Sequence, residues 1–296
     1  MSGGSAALQT LSPAAASAPR DRSLLLLLPA VAMLMLMFFV PIVLFFVRTF
    51  MEFQGSTAEF AAQARDLLFS QPYLTALATT NWIALTVTLA VLLIGYPIAY
   101  YLTTATGPSI SVVVLSIVLP YFTSLIVRTF SWMVLLGEHG LVNNALRALG
   151  VIAEPLPLMY NRLGVLIGMS YVLLPYMVLT LFAAMRGIDA ALPRAAAGLG
   201  ASGFYTFRRV YFPLSLPGVL SGALIVYILS IGYFITPALM GGPHDIMIAM
   251  LIDRELEVAV DWPAAALMSL SLLVVTLALY AFYYRVTDLR RLIGER

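Results

Sequence analysis

The feature that most limits how this chain can fold is a stretch of 61 residues, 67–127, without one charged side chain. The hydrocarbon core of a bilayer takes about 20 apolar residues per helix, so the stretch suits two membrane spans rather than one. Gly107 and Pro108, with the capping residues Thr103 and Thr104, mark the break between them. The whole chain is 61% hydrophobic and 10% charged, which predicts an integral membrane protein.

Charge-free runs of membrane length predict six spans, and hence an all-α, polytopic membrane fold. The expected spans are 24–47, 74–102, 110–136, 163–185, 216–240 and 263–284. Residues 1–22 are expected to be a disordered cytoplasmic tail, because the first 19 are rich in Ala, Ser and Pro and carry no charge. Residues 23–296 are expected to form the transmembrane domain.

The distribution of arginine predicts that both termini lie in the cytoplasm, because cytoplasmic flanks retain positive charge. With the N-terminus inside, the inner segments carry ten of the 16 arginines and a net charge of +6, whereas the outer segments carry −4. Trp82, Trp132 and Trp262 then all fall at the outer ends of their spans, where aromatic rings prefer the membrane interface.

Missing residue types exclude most catalytic chemistry. All basic residues are arginine, so the chain has no P-loop lysine and no amine for Schiff-base chemistry. It has no cysteine and only two histidines, and we expect no metal or cofactor bound by this chain. An intramembrane hydrolase would need a positioned base or paired acids within the spans, and an ion-coupled secondary transporter would show acids near the midplane. All 14 acids lie outside the expected spans.

The most informative segment is the loop between the fourth and fifth spans, residues 186–215. Asp189 is positioned to cap a short helix, and Gly200 suits the left-handed position that ends it. Ser202 can cap a second helix, and Pro213 bends the chain into the fifth span. The apolar face expected on the first helix consists of Leu192, Ala195, Ala196 and Leu199. Arg208 and Arg209 have two interpretations, contact with a partner protein or anchoring to lipid headgroups.

The segments RAAAGLGAS (194–202) and VYFP (210–213) resemble the EAA loop of binding-protein-dependent ABC transporter permeases. Ala195, Ala196 and Gly200 occupy the family's positions in the first segment, Ala201 follows the glycine, and Val210 and Pro213 occupy them in the second. Arg194 stands where the family has glutamate, which removes or reverses the charge of one expected contact with the ATPase.

This resemblance implies a type I ABC importer permease fold in the bacterial inner membrane, surrounded by lipid and without a nucleic-acid partner. It further implies a second homologous permease subunit, an extracytoplasmic solute-binding protein and a cytoplasmic ABC ATPase dimer that binds ATP and Mg. The loop would then seat in a groove of the ATPase and couple its closure to a rigid-body change in the permease. The chain itself would be a non-catalytic subunit.

Six other segments make the resemblance closest to the spermidine/putrescine-type permeases. These segments are GYPIA (95–99), LPYFTS (119–124), RTFSW (128–132), LVNN (141–144), EPLP (154–157) and GYFITPALMGG (232–242). The implied cargo is a small cation such as putrescine or spermidine, with opines, amino-acid derivatives and other small solutes as open alternatives. Aromatic residues that could line a cationic pathway are Tyr96, Tyr121, Trp132, Tyr171, Tyr227 and Tyr233. Arg128 is expected to form a structural ion pair or to lie at the interface rather than to contact cargo.

Overall fold

The computed structural model describes residues 23–52 and 56–294, and all regular structure in these ranges is helical. The expected tail, 1–22, lies outside the described residues. Helix α1, Ser23–Glu52, carries an apolar window at Leu27–Val47 that is long enough to cross a membrane. The chain divides into two compact units near the end of this helix, at Met51 and Glu52.

The second unit contains twelve α-helices within the described residues. They are α2 (Thr57–Leu68), α3 (Gln71–Thr104), α4 (Ser109–Val118), α5 (Leu125–Leu136), α6 (Leu141–Ala148), α7 (Arg162–Arg186), α8 (Ala191–Gly198), α9 (Gly203–Thr206), α10 (Phe212–Ile231), α11 (Ile235–Met240), α12 (Ile248–Arg254) and α13 (Trp262–Gly294). Six helical segments of the described chain, counting α1, are long and apolar enough to cross a membrane. The all-helical polytopic fold is therefore confirmed.

Helices α3, α7 and α10 pack against one another most extensively and enclose the main hydrophobic core. Its fully buried members include Ile83 and Val87 of α3, Met177 and Leu181 of α7, and Val226 of α10. Small residues allow the close approach, since a Cβ added to Gly222 of α10 would meet the sulfur of Met177 at 2.8 Å. Close packing of this kind is the usual basis of helix association in membranes.

The prediction that the third span is one helix at 110–136 is wrong, because this segment forms two helices. Helix α4 ends at Val118, a short 3₁₀ helix follows at Leu119–Phe122, and α5 begins at Leu125. Pro120 has no backbone N–H to donate, and its ring disfavours a continuous α-helix through this point. Thr123 then adopts an extended conformation, with a ψ of 148°, and the chain starts a new helix.

The fifth span, expected at 216–240, is also displaced. The helical segment begins in the preceding loop at Gly203 and continues through a π-helical turn, Phe207–Tyr211, into α10. It ends at Ile231, and the residues up to Met240 form the separate short helix α11. Gly232 ends α10 because glycine is a poor helix former, so the apolar run 216–240 contains a bend that hydropathy alone does not reveal.

Candidate coupling loop and translocation cavity

The loop 186–215 begins with the predicted short helix, α8, which ends in a Schellman motif. Gly200 has a φ of +85°, and its N–H donates to the carbonyl of Ala197 at 3.0 Å, while the N–H of Ala201 donates to Ala196 at 3.1 Å. These two hydrogen bonds define the motif and require a left-handed residue after the helix. The expected conformation of Gly200 is therefore found in the structure.

The start of α8 differs slightly from expectation. The residue at the cap position is Ala190, and Asp189, one position earlier, accepts a hydrogen bond from the N–H of Ala191 at 2.8 Å. Asp189 thus satisfies a free N–H of the first turn without occupying the cap itself. Arg194 is exposed, and its Nε donates to the carbonyl of Ala190 at 3.0 Å.

The second part of the loop leads directly into α10. Ser202 caps α9 by accepting a hydrogen bond from the N–H of Tyr205 at 3.3 Å. Arg208 and Arg209 lie in the π-helical turn with exposed side chains, and Pro213 occupies the first turn of α10. Because α10 continues the preceding helical turns without a break, the missing N–H of Pro213 leaves a carbonyl of the preceding turn without its helical donor, and the local π-helical geometry accompanies this interruption.

A group of aromatic side chains fastens this loop to the end of α3. The Tyr96 hydroxyl lies 2.8 Å from Ser215 Oγ, and Thr103 Oγ1 lies 2.9 Å from the Tyr211 hydroxyl. The ring of Phe207 packs edge-on against Tyr96, at a centroid distance of 6.0 Å. The structure therefore places Tyr96, which we expected along the pathway, in the joint between the loop and the helix bundle.

The tip of the loop presents large apolar side chains to the surroundings. Leu199 is 89% exposed and Phe204 is 75% exposed, and Leu199 lines a shallow cleft together with residues that include Ala196, Ala201 and Tyr205. Phe204 and Tyr205 were not among the residues selected from the sequence, because their apolar character does not distinguish a docking surface from a membrane-facing helix. An exposed apolar patch of this kind is typical of a protein interaction site.

Within the membrane region, the break between α4 and α5 opens two cavities that share Pro120, Arg128 and Tyr171. Their volumes are about 430 and 390 Å³, within the usual range for small-molecule sites. The first is lined mainly by apolar side chains of α3, α4 and α7, and Ser116, Arg128 and Tyr171 are its polar members. The second also contains Trp132.

At these cavities, the side chain of Arg128 lies over the ring of Tyr121. Its guanidinium carbon is 5.7 Å from the centroid of the Tyr121 ring, and Tyr121 packs edge-on against Tyr176 at 5.6 Å. Trp132 and Tyr171 form a second edge-on pair, at 5.3 Å. The ion pair expected for Arg128 does not occur within the part of the chain that the structure describes, and its Nε is buried without a hydrogen-bond partner there.

The remaining two pathway candidates, Tyr233 and Tyr227, lie in different surroundings. Tyr233 follows α10 and lies within electrostatic range of Arg128 and Tyr176. Tyr227 lies in α10 and donates a hydrogen bond to Asn81 Oδ1 of α3 at 2.6 Å, so it joins two core helices. Four of the six aromatic candidates thus gather around Arg128, whereas Tyr96 and Tyr227 serve helix packing.

The end of the bundle opposite the loop is held by a buried carboxylate. Asp245 is 4% exposed and accepts hydrogen bonds from Arg162 Nε and from the N–H of Gly242, both at 3.1 Å. Arg162 is the first residue of α7, and Asn161 caps this helix by accepting from the N–H of Gly164. The segment after α11 is thereby fixed to the start of α7.

Comparison with protein families decides the class of the chain. The profile of the family described as "Binding-protein-dependent transport system inner membrane component" matches residues 111–291, which include the loop and every residue that lines the two cavities except Ile98. The chain belongs to this family. It is a permease of the ABC importer type and a non-catalytic component of the inner membrane, so the alternatives of a hydrolase and of a secondary transporter are set aside.

Curated relatives of this permease include polyamine systems. It is 34% identical over 206 residues to the spermidine/putrescine transport system permease protein PotB of Escherichia coli K12, a match that covers 70% of this chain and 75% of PotB. It is 28% identical over 268 residues to a permease protein named for 2-aminoethylphosphonate transport, PhnU of Salmonella paratyphi A, and this match covers 88% and 90% of the two chains.

Among solved structures, the permease resembles a bacterial alginate ABC transporter determined in complex with its pentasaccharide-bound periplasmic protein. The TM-score is 0.68 at 19% identity, and the match covers 92% of this chain and 96% of the other. At this identity the likeness establishes the fold of a type I importer permease and leaves the solute open.

Proposed function

We propose that the permease is one of two homologous membrane subunits of an importer that moves a small amine-bearing solute into the cytoplasm. A solute-binding protein outside the membrane delivers the solute, and a cytoplasmic ABC ATPase dimer, which holds ATP and Mg, drives transport. Polyamines such as putrescine and spermidine are the first candidates for the cargo, because the identity to PotB extends over 70% of the chain.

The observation that supports a coupling role is that the loop has an exposed apolar tip and is attached directly to the helix bundle. Leu199 and Phe204 are open to a partner, while Phe207 and Tyr211, a few residues further on, are fixed to the end of α3. Force applied at the tip therefore reaches the core helices without an intervening flexible segment. In this proposal, the docking element is helix α8 with its Schellman turn, and Arg208 and Arg209 lie beside it. It includes Leu192, Arg194, Ala195 and Ala196 of the helix and Asp189 directly before it.

A second cargo class is favoured by Arg128. An arginine without an acidic partner repels a polycation, and it attracts a solute that bears an acid group beside its amine. Opines, amino-acid derivatives and aminophosphonates have this character, and the relative PhnU is named for one of them.

The test is uptake by the assembled system, with the permease, its ATPase, its second permease and its binding protein in proteoliposomes. We expect labelled putrescine or spermidine to accumulate only when ATP is present inside, where the ATPase binds it. Omission of the ATPase should abolish accumulation, since this chain lacks the lysine of a P-loop. Uptake of neutral sugars, without competition by any amine, would contradict the proposed cargo and leave the family assignment standing.

A further inference from the structure

Arg128 is a charge in the membrane region of this permease that has no acidic partner among the described residues. It lies in the first turn of α5, its Nε is buried, and no described residue accepts a hydrogen bond from that atom or forms an ion pair with the guanidinium. Charged side chains inside a membrane are costly and are normally paired or functional. Asp245, a buried acid elsewhere in the bundle, is already bound by Arg162.

The polar groups close to Arg128 are hydroxyls, which can donate to an anion. Tyr121 and Tyr233 both lie within electrostatic range of the guanidinium. The Tyr233 hydroxyl is buried, and it interacts with the side chain of Thr236. Buried polar groups are almost always satisfied, so the unpaired Nε of Arg128 indicates a missing partner.

Space for such a partner is present beside the guanidinium. Arg128 lines both cavities at the α4–α5 break, of about 430 and 390 Å³. Helix α5 begins at Leu125, and no side chain caps its first turn, so the positive end of its dipole adds to the charge of Arg128. The charge of Arg128 and the dipole of α5 therefore both favour a negative group at this point.

We propose that Arg128 forms an oxyanion subsite of the translocation cavity, which binds the carboxylate or phosphonate of a transported amine. This inference rests on the proposed importer function and selects the second cargo class within it. Arginine suits the role because its planar guanidinium binds carboxylate and phosphonate oxygens through two parallel hydrogen bonds. The apolar lining of the first cavity would accommodate the carbon chain of the solute.

The first test measures anion binding independently of the identity of the cargo. The thermal midpoint of the purified importer complex is recorded with methylphosphonate, acetate or methylammonium at matched ionic strength. We expect methylphosphonate and acetate to raise the midpoint with saturation, and methylammonium to leave it unchanged, because a ligand stabilises the state that binds it. Arg128→Gln should abolish the rise. Arg147→Gln, on the exposed surface of α6, is the matched control and should respond as the unaltered complex does.

The second test compares two solutes of equal chain length, 4-aminobutyrate and putrescine. Arg128→Gln should raise KM for 4-aminobutyrate by about 10- to 100-fold, the value of a charge-assisted hydrogen bond, and should not raise KM for putrescine. An unchanged midpoint with both anions, or an equal rise in Arg128→Gln, would overturn the subsite. Loss of the second permease from purified Arg128→Gln would also overturn it, because the arginine would then be paired by an acid of that subunit. Putrescine uptake that persists in either case would leave the proposed importer function intact.

Discussion

Gly218 of α10 faces Ala184 of α7 so closely that a Cβ added to the glycine would lie 2.4 Å from the Cβ of the alanine. Real Cβ atoms do not approach to this distance, so the two helices cross at a contact that has room for one methyl group only. The contact lies at the end of α7 from which the coupling loop departs, one turn before Gly187. The spacing of the two core helices at the base of the loop therefore depends on this pair.

We predict that Gly218→Ala destabilises the permease and that Ala184→Gly restores it. Overpacking a tight helix contact costs about 1–3 kcal/mol, and exchanging the two residues keeps one methyl group at the crossing. The thermal midpoint of the detergent-solubilised complex should fall for Gly218→Ala and recover for the double variant. Gly232→Ala is the control, since a Cβ there meets nothing within 4 Å. A double variant no more stable than Gly218→Ala would show that the crossing is not limited by this pair.

For the Arg162–Asp245 pair at the other end of α7, we predict that replacing the arginine lowers the stability more than replacing the aspartate. Arg162 is 46% exposed and Asp245 only 5%, so removing the arginine leaves a carboxylate that water reaches poorly. Arg162→Ala should therefore cost about 1–3 kcal/mol, whereas Asp245→Asn should cost less because the amide oxygen can still accept from Gly242. In a double-mutant cycle, adding Asp245→Asn to Arg162→Ala should recover part of the loss. Equal and additive losses from the two single changes would contradict this account.

The coupling loop could be predicted in detail from the sequence, because its signals are local. Gly200 was expected to be left-handed and Ser202 to cap the second helix, and the structure shows both. The break at Thr123 and Ser124 was missed, because the flanking residues are apolar on both sides and hydropathy averages across the interruption. Pro120 was visible in the sequence, but proline is tolerated in many membrane helices and does not by itself indicate a break.

The pathway candidates could be predicted only in part, because their assignment depends on which helices meet. Tyr96 and Tyr171 are equally aromatic and equally placed within apolar runs, yet only Tyr171 lines the cavity. Partners of these side chains, such as Ser215 and Asn81, lie more than 100 residues away along the chain. No local pattern connects residues at that separation, so the sequence favoured all six aromatics alike.

The membrane orientation gives a third prediction, which combines charge with two long-range contacts. The Thr103–Tyr211 hydrogen bond places the α3–α4 connection beside the coupling loop, and the Arg162–Asp245 pair places the segments before α7 and after α11 at the opposite end. The excess of arginine assigns the first of these ends to the cytoplasm. Reporters fused after residues 105 and 200 and at the C-terminus should therefore read cytoplasmic, and those near 150 and 252 external. Opposite signals at 105 and 200 would refute both the contact and the orientation.

The last prediction tests whether the Schellman turn of the coupling loop is required for docking to the ATPase. A Cβ on Gly200 or on Gly198 would point into open space, but only Gly200 has a positive φ, of +85°. Valine is strained in that conformation by about 1–3 kcal/mol and should open the turn, which displaces Leu199. We expect Gly200→Val to insert normally and to reduce both ATPase co-purification and uptake. Gly198→Val, which adds the same side chain on the last helical residue, should retain both. If Gly200→Val binds the ATPase and transports as well as Gly198→Val does, the turn has no role in coupling.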